Sequence, residues 1–520
     1  MNKKILLSLS VAAMVAAGLF TVQSCTKDFE EINTDPFRPQ NVPTGEEFKQ
    51  VLQNIYAYSP AWVTQLQQNL MGDVYSGYMM PPTPFRGNSN NMTYDLVDGW
   101  NEWPWDWAYQ NVMSPLRLME IKAGTNYPEF NAWAKICRVA AMHRVSDIYG
   151  PIIYSNYGVL TSEGGVAYDC QEVAYDQFFK DLEAAIAILT PIAQNPPAPD
   201  RNTFTPFDLV YGGDHTKWVQ FANSLRLRLA VRISKVDAAR AKTEAEKSLS
   251  HPLGVITSND ANCLVTSADG TTHPLNVMDN AWNDIRMGAP MESILSGYND
   301  PRLGKYFLPS VVAPGQYKGI RLGIPIVAKS DYEGFSALVD LDKVQLMTAA
   351  EVYFLRAEGA LRGWNMGGTA QSLYEQGIQT SFDQYGLGSA AGYIASTTPA
   401  APYVDPVNSA NNAGPASNVV VKWDDAASTD SKLEQIITQK WLAMYPDGQE
   451  AWSEYRRTGY PRLYPVLVNN SAGKIDSQAG IKRINMPAPE YNTNKAEVLK
   501  AVQCLGGPDN GGTALWWDVD

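Results

Sequence analysis

Apolar residues recur at helical spacing through much of the chain. Ala370, Leu373, Tyr374, Gly377, Ile378, Ser381, Phe382 and Tyr385 keep an i, i+3, i+4 rhythm that Gly386 ends. Just upstream, Thr348-Ala349-Ala350-Glu351 reads as a capping box opening a helix to about Arg362. Gly363 and the Gly367-Gly368 pair separate the two, which predicts a helical hairpin. A second capping box, Ser431-Lys432-Leu433-Glu434, opens a helix with Leu433, Ile437, Trp441 and Met444 on one stripe. Pro446-Asp447-Gly448 then turns the chain into a short helix ending near Gly459 and Pro461. Further helices are expected at 129–146, at 172–189 with Pro191 as its stop, and at 215–235. In the last, Trp218, Ala222, Leu225, Leu229 and Ile233 form one stripe. Val219, Leu227 and Val231 lie off it, so burial on more than one side is expected. Stacked hairpins suggest a tetratricopeptide-like array, although the fixed period of about 34 residues is not visible.

Three stretches break this rhythm. Residues 191–214 are rich in Pro and Asn, and residues 387–430 in Ala, Ser, Asn, Pro and Thr. Residues 250–340 mix short apolar runs with Gly, Pro and Asn, which suits a few short strands. Long loops on a helical scaffold are where binding usually sits.

The N-terminus changes the picture. Lys3 and Lys4 precede an apolar run from Ile5 to Phe20, the layout of a secretory signal and too short for a convincing membrane span. Val22-Gln23-Ser24-Cys25 resembles a bacterial lipobox, which implies a signal peptide over residues 1–24 and lipidation of Cys25. Asp28, Glu30 and Glu31 follow, similar to the acidic signal that sends some lipoproteins to the outer cell surface. Residues 25–44 read as a tether, and 45–520 as a single domain.

The charge balance, −13 over 520 residues, repels phosphate backbones and argues against nucleic acid as a partner. Four dispersed His and no Asp-rich loop of the EF-hand type leave no expected metal site and no cofactor. Beyond Cys25 there are four Cys, at 137, 170, 263 and 504. An oxidising compartment allows three pairings among them, and buried free thiols fit equally well.

The second half carries recognisable strings. Gly212-Gly213-Asp214, Lys217-Trp218 and the run Phe221-Ala222-Asn223-Ser224-Leu225-Arg226-Leu227-Arg228-Leu229-Ala230 come first. Asp300-Pro301-Arg302-Leu303 and Leu346-Met347-Thr348-Ala349-Ala350-Glu351-Val352 follow, then Gln439-Lys440-Trp441-Leu442-Ala443, Glu450-Ala451-Trp452, Arg456-Arg457-Thr458-Gly459-Tyr460-Pro461 and Trp516-Trp517-Asp518. Together these resemble the SusD/RagB family of nutrient-binding outer-membrane lipoproteins, from about Asp28 to the C-terminus. The match is weaker over 45–125 and 387–430. The resemblance implies a mainly α fold of four tetratricopeptide-like helix pairs with a loop-rich remainder and a few short strands. It also implies a partner, a TonB-dependent, SusC-like β-barrel transporter, and a role in capturing oligosaccharide, or sometimes peptide, without catalysis.

On physical grounds most of these strings are scaffold. Arg456 and Arg457 beside Glu450 and Glu454 suggest a helix-end charge network. Asn223 and Ser224 in an apolar helix are expected to bond to neighbouring backbone, and Trp516-Trp517 to anchor the C-terminus by packing.

Glycans present flat apolar C–H faces and many hydroxyls, so aromatic rings and amide or charged side chains should line the site. The string from Trp100 to Tyr109 holds Trp103 and Trp105 as ligand candidates, whereas Trp107 reads as a packed helix start. Pro104 is expected to keep Trp103 extended. The 270–330 insert adds Trp282, Asn283, Arg286, Tyr317 and Arg321. No Gly-x-Ser-x-Gly, His-Glu-x-x-His, P-loop or Gly-x-Gly-x-x-Gly string appears, so the common enzyme chemistries lack their motifs and no enzyme is expected. A glycosidase needs only two suitably spaced carboxylates, so a surface glycoside hydrolase stays as an alternative, as does an adhesin.

Overall fold

The computed structural model describes residues 44–519; the expected signal peptide, Cys25 and nearly all of the tether lie outside them. Four helix pairs follow one another along the chain. They are α1 (Pro128–Tyr149) with α2 (Gln171–Gln194), α3 (His215–Arg232) with α4 (Ala238–Ser250), α5 (Ala349–Leu361) with α6 (Ala370–Gln384), and α7 (Thr429–Met444) with α8 (Gly448–Thr458). Contacts run from α2 to α3, from α3 to α5 and from α5 to α7, so the pairs form a continuous array. A late helix, α9 (Lys495–Gln503), closes the chain.

Strands are few and short. β1 (Met79–Met80) pairs antiparallel with β3 (Arg286–Met287), β2 (Cys263–Val265) with β4 (Val344–Met347), and β5 (Pro402–Tyr403) with β6 (Ala413–Pro415). They tie the loop-rich segments to one another and to one apolar core running from Phe48 to Trp517. The α3 helix is buried on several sides, as its off-stripe residues require. Asn223 donates to the Gly254 carbonyl at 3.0 Å, and Ser224 to that of Gln220 at 2.7 Å. Trp517 is buried with its indole N–H on Asp147 at 2.8 Å.

Several helix limits differ from those the pattern predicts. Thr348 does cap α5, accepting from the Glu351 N–H at 3.3 Å, but Glu351 does not reach back. Its carboxylate is taken by Arg228 at 2.8 and 2.7 Å, a charge-assisted pair that outweighs a neutral cap. Helix α7 starts earlier than expected, with Ser428 as its cap, because Glu434 instead accepts from Ser417 and pairs with Arg462. Helix α2 continues through Pro191 to Gln194, at an exposed end where the carbonyl that loses its helical donor faces solvent.

The array keeps its charges inside. Arg457 grips Glu358 at 2.6 and 2.7 Å and Glu454 at 2.7 Å. Arg144 grips Asp447 at 2.9 and 3.0 Å, and Lys440 meets Glu454 at 3.0 Å. Arg232 joins Glu450 and Glu454. Arg456, expected in this network, has no carboxylate partner among the described residues. It lies 3.6 Å over the Trp452 ring and donates to the carbonyls of Asp147 and Lys482. Burial pushes the Glu450 carboxyl up to about 7 despite Arg232 and Arg228 beside it. Burial also opposes ionisation of Glu454, but Arg457 and Lys440 hold it well below the usual carboxylate range.

Of the four thiols, Cys170 and Cys504 form a disulfide that ties the start of α2 to the end of α9. Cys137 and Cys263 are buried and free, so both readings of the cysteines hold in part.

Candidate functional site

The clearest exposed aromatic group lies where two short helical segments, Asp98–Asn101 and Trp103–Ala108, follow one another. Trp100 and Trp103 stand three residues apart and so share one side of this stretch. Each is held edge-on by a ring from elsewhere. Phe85 meets Trp100 at 5.8 Å and 83°, and Trp62 meets Trp103 at 4.7 Å and 88°. Trp62 is 42% exposed, and the other three are half-buried. Edge-to-face pairing fixes the orientation of the rings, and the part of their surface left exposed suits contact with a flat ligand. Trp103 is the first residue of its helical segment rather than extended. Pro104 is tolerated there because a first-turn residue has no intrahelical use for its N–H.

Trp105, two residues on, points the other way. It is buried and packs on Tyr109, Tyr149 and Tyr168 at 4.8, 5.5 and 5.6 Å, so it is a core residue and not a ligand contact. Trp107 is half-buried and donates to Asn54 at 3.0 Å.

The aromatic strip is bordered by a strained loop. Arg86, Gly87 and Asn88 have φ of 53°, 65° and 66°, three successive left-handed residues of which only the glycine adopts this conformation without cost. The turn is held by its own polar groups. Asn88 donates to the Ile326 carbonyl at 2.8 Å, Asn90 to that of Phe85 at 2.6 Å, and Thr93 to that of Asn88 at 2.6 Å. Such strain persists only where the surroundings over-determine it, and it concentrates at functional sites.

Beyond this loop opens a polar cleft of about 340 Å³, lined by Asp95, Asp98, Asn470, Lys474, Asn485 and Asn510 among others. Asn485 donates to Asp98 at 3.2 Å, and the Asn470 N–H donates to the Thr93 carbonyl at 2.7 Å. Glu102 and Asp106 follow Asp98 along the same helical stretch. Burial raises both carboxyls, with Asp106 and Asp98 adding to the effect at Glu102 and Glu490 at Asp106. Open ring faces beside amide and carboxylate groups can cover sugar C–H surfaces and satisfy sugar hydroxyls. Among the described residues no His, Cys, Asp and Glu cluster is placed to hold a metal ion.

The 270–330 candidates fall into three places. Trp282 and Asn283 sit in a loop tied to the aromatic region. The Trp282 carbonyl accepts from Lys329 at 2.8 Å, and Asp284 binds Lys329 at 2.9 Å and the Thr83 hydroxyl at 2.5 Å, two residues before Phe85. Arg286 is not a contact group. It is buried against Asp279 at 2.6 Å and the Glu333 carbonyl at 2.7 Å, spent on holding the same loop. Tyr317 lies elsewhere, its hydroxyl close over Gly304. Arg321 lines a different, larger cavity, its guanidinium 5.5 Å over the Tyr464 ring. The structure adds Trp62, Phe85, Trp100, Asn88, Asn470 and Asn485. The aromatic run around Trp100 was the only sequence signal for any of them.

A family model described as SusD and RagB outer membrane lipoprotein matches residues 25–518. Among solved structures, a chitin-binding SusD homologue from Flavobacterium johnsoniae is similar with a TM-score of 0.89 and 50% identity, covering 92% of this chain and 99% of that one. A SusD homologue from Bacteroides vulgatus has a TM-score of 0.85 at 34% identity, over 91% and 97% of the two chains. A SusD-like protein from Bacteroides thetaiotaomicron has 0.85 at 33%, over 92% and 99%. No curated protein matches the sequence significantly.

Proposed function

The chain belongs to the SusD-like family of outer-membrane lipoproteins, and on that premise we propose that it is a cell-surface glycan receptor serving a TonB-dependent, SusC-like transporter. SusD-like proteins bind ligands and are not enzymes, and we extend this to the present chain. It captures oligosaccharide at the aromatic strip and passes it to the barrel. The observation that carries this reading is the pairing of Trp100 with Phe85 and of Trp103 with Trp62 beside a cleft of amides and carboxylates. Ring faces supply the apolar contact, and the cleft gives orientation through hydroxyls.

The relative that binds chitin makes chains of N-acetylglucosamine the first ligand to test. Calorimetry with chitohexaose, with products followed by chromatography, should show binding and intact ligand. Released sugar would favour the hydrolase alternative, and tighter binding of a peptide panel would favour a peptide receptor of the same importer.

The lipidation site at Cys25 fits an anchor, with the domain facing the cell exterior. No helix among the described residues is long and apolar enough to cross a membrane. Cys25→Ala should release the protein into the soluble fraction, and retention in membranes would remove the anchor. Extraction in mild detergent should recover a barrel protein with it; repeated recovery of the receptor alone would favour the adhesin.

A further inference from the structure

The cavity that holds Arg321 has a charge opposite to that of the chain. It measures about 670 Å³ and is lined by Lys235, Arg321, Arg456, Arg457, Arg462 and Lys482 against a single carboxylate, Asp518. The whole protein carries −13. Three of the six cations are committed. Arg457 is neutralised by Glu358 and Glu454, Lys482 pairs with Asp518 at 3.1 Å, and Lys235 donates to the Val519 carbonyl at 3.0 Å.

Of the other three, Arg321 and Arg456 leave positive charge over, and Arg462 is paired with a carboxylate that does not line the cavity. Arg321 has no carboxylate within ion-pair distance among the described residues. It donates to the Asn411 carbonyl at 3.2 Å, and its buried Nε has no partner. Arg456 is spent on carbonyls, the Ser453 hydroxyl and the Trp452 ring. Arg462 pairs with Glu434 at 3.3 Å and lies 5.6 Å over the Tyr460 ring, with its side chain 56% exposed. Helix α8 ends here, and the partial negative charge of its last carbonyls is offset by Arg456 and Arg457 in the same turn. Burial pushes the Arg456 guanidinium down to about 9, against the pull of Asp147 and Asp518, which favour its charged form.

The rest of the lining suits a ring bearing hydroxyls more than a bare ion. Tyr455 and Tyr464 contribute aromatic surface, and Thr458 and Gln478 contribute polar groups. The volume is in the range of small-ligand sites, roughly 300–1,000 Å³. We propose that this cavity is a second ligand site, separate from the aromatic strip, that takes a carboxylate-bearing sugar, with Arg321 and Arg462 meeting the carboxylate. Tyr94, which lines the polar cleft, and Tyr455, which lines this cavity, border one small apolar void, so the two sites are neighbours.

Calorimetry of the full mature protein with digalacturonic acid, neutral galactobiose and tri-aspartate tests this. Digalacturonic acid should bind at least about tenfold more tightly than galactobiose, and less tightly as salt is raised. Arg321→Gln and Arg462→Gln should each weaken it by roughly tenfold. Trp103→Ala should leave it unchanged while weakening chitohexaose, which separates this proposal from that of the aromatic strip. Arg462 is mostly exposed, so its variant still tests the site if Arg321→Gln misfolds. Equal affinity for the neutral sugar, indifference to both arginine variants, loss with Trp103→Ala, or equally tight tri-aspartate binding would each overturn the assignment.

Discussion

In the helical array, arginines and carboxylates are buried against one another. On the loop-rich face, aromatic rings and amides are left half open. Arg457 lies between Glu358 and Glu454 with no exposed surface, whereas Trp62 and Trp103 hold each other edge-on at the surface. The buried charges fix which helix meets which, since a desolvated ion tolerates only its own partner. The open rings are free of that duty and can spend their faces on a ligand. The difference teaches that residue type alone does not mark a site. The mark is whether a side chain's interactions are already complete.

The contrast can be tested from its strongest side first. Arg457→Ala leaves Glu358 and Glu454 buried without their main cation and should destabilise by about 3–5 kcal/mol in urea unfolding. Trp105→Ala should cost a similar amount, about 3–5 kcal/mol, by opening a core cavity. A loss below about 1 kcal/mol in either would mean the array is not held as described. Replacing Cys170 and Cys504 together by Ala should cost roughly 2–4 kcal/mol, read by the same unfolding curve, because the bond closes a loop spanning most of the chain.

A smaller effect follows from Asp73. Burial raises its carboxyl to about 7, against hydrogen bonds from Asn69 and Gln68 that favour the charged form. A carboxyl raised in the folded state keeps its proton where the unfolded chain has lost it. Its contribution is therefore complete below about pH 4 and is lost as pH rises through about 7. The stability of the wild type relative to Asp73→Asn should fall between pH 4 and 7, by about 1.4 kcal/mol per pH unit at most. A flat difference would show that Asp73 is ionised throughout.

Trp103→Ala, on the open side, should leave stability within about 0.5 kcal/mol. It should weaken chitohexaose by roughly 5–30-fold, about 1–2 kcal/mol. If stability falls instead and binding does not, the ring belongs with the array and the contrast fails at that point.

Much of the scaffold was legible in the chain. The rhythm around Leu373 and Ile378 gave α6, and the runs around Trp218 and Trp441 gave α3 and α7, because a helix repeats its buried face every turn. The family strings fell on that same scaffold. The site was legible only in fragments. Trp103 and Trp105 look alike in sequence, yet positions two apart on a helix face nearly opposite directions, so one pairs with Trp62 and the other enters the core. Asn470 and Asn485 had no local signal, since each is an ordinary loop amide until the fold brings it beside Asp95 and Asp98.

By itself, then, the order of residues determined the helical periods, the family and the expected lipid anchor at Cys25, all of which are written within a turn or a short string. The tertiary structure alone decided which tryptophans stay open, which cysteines join, and that Glu351 answers Arg228 rather than its own helix cap. The physical reason is range. Periodicity and capping act between near neighbours, while burial and pairing depend on segments that meet only after the chain has folded, 334 residues apart in the case of the disulfide.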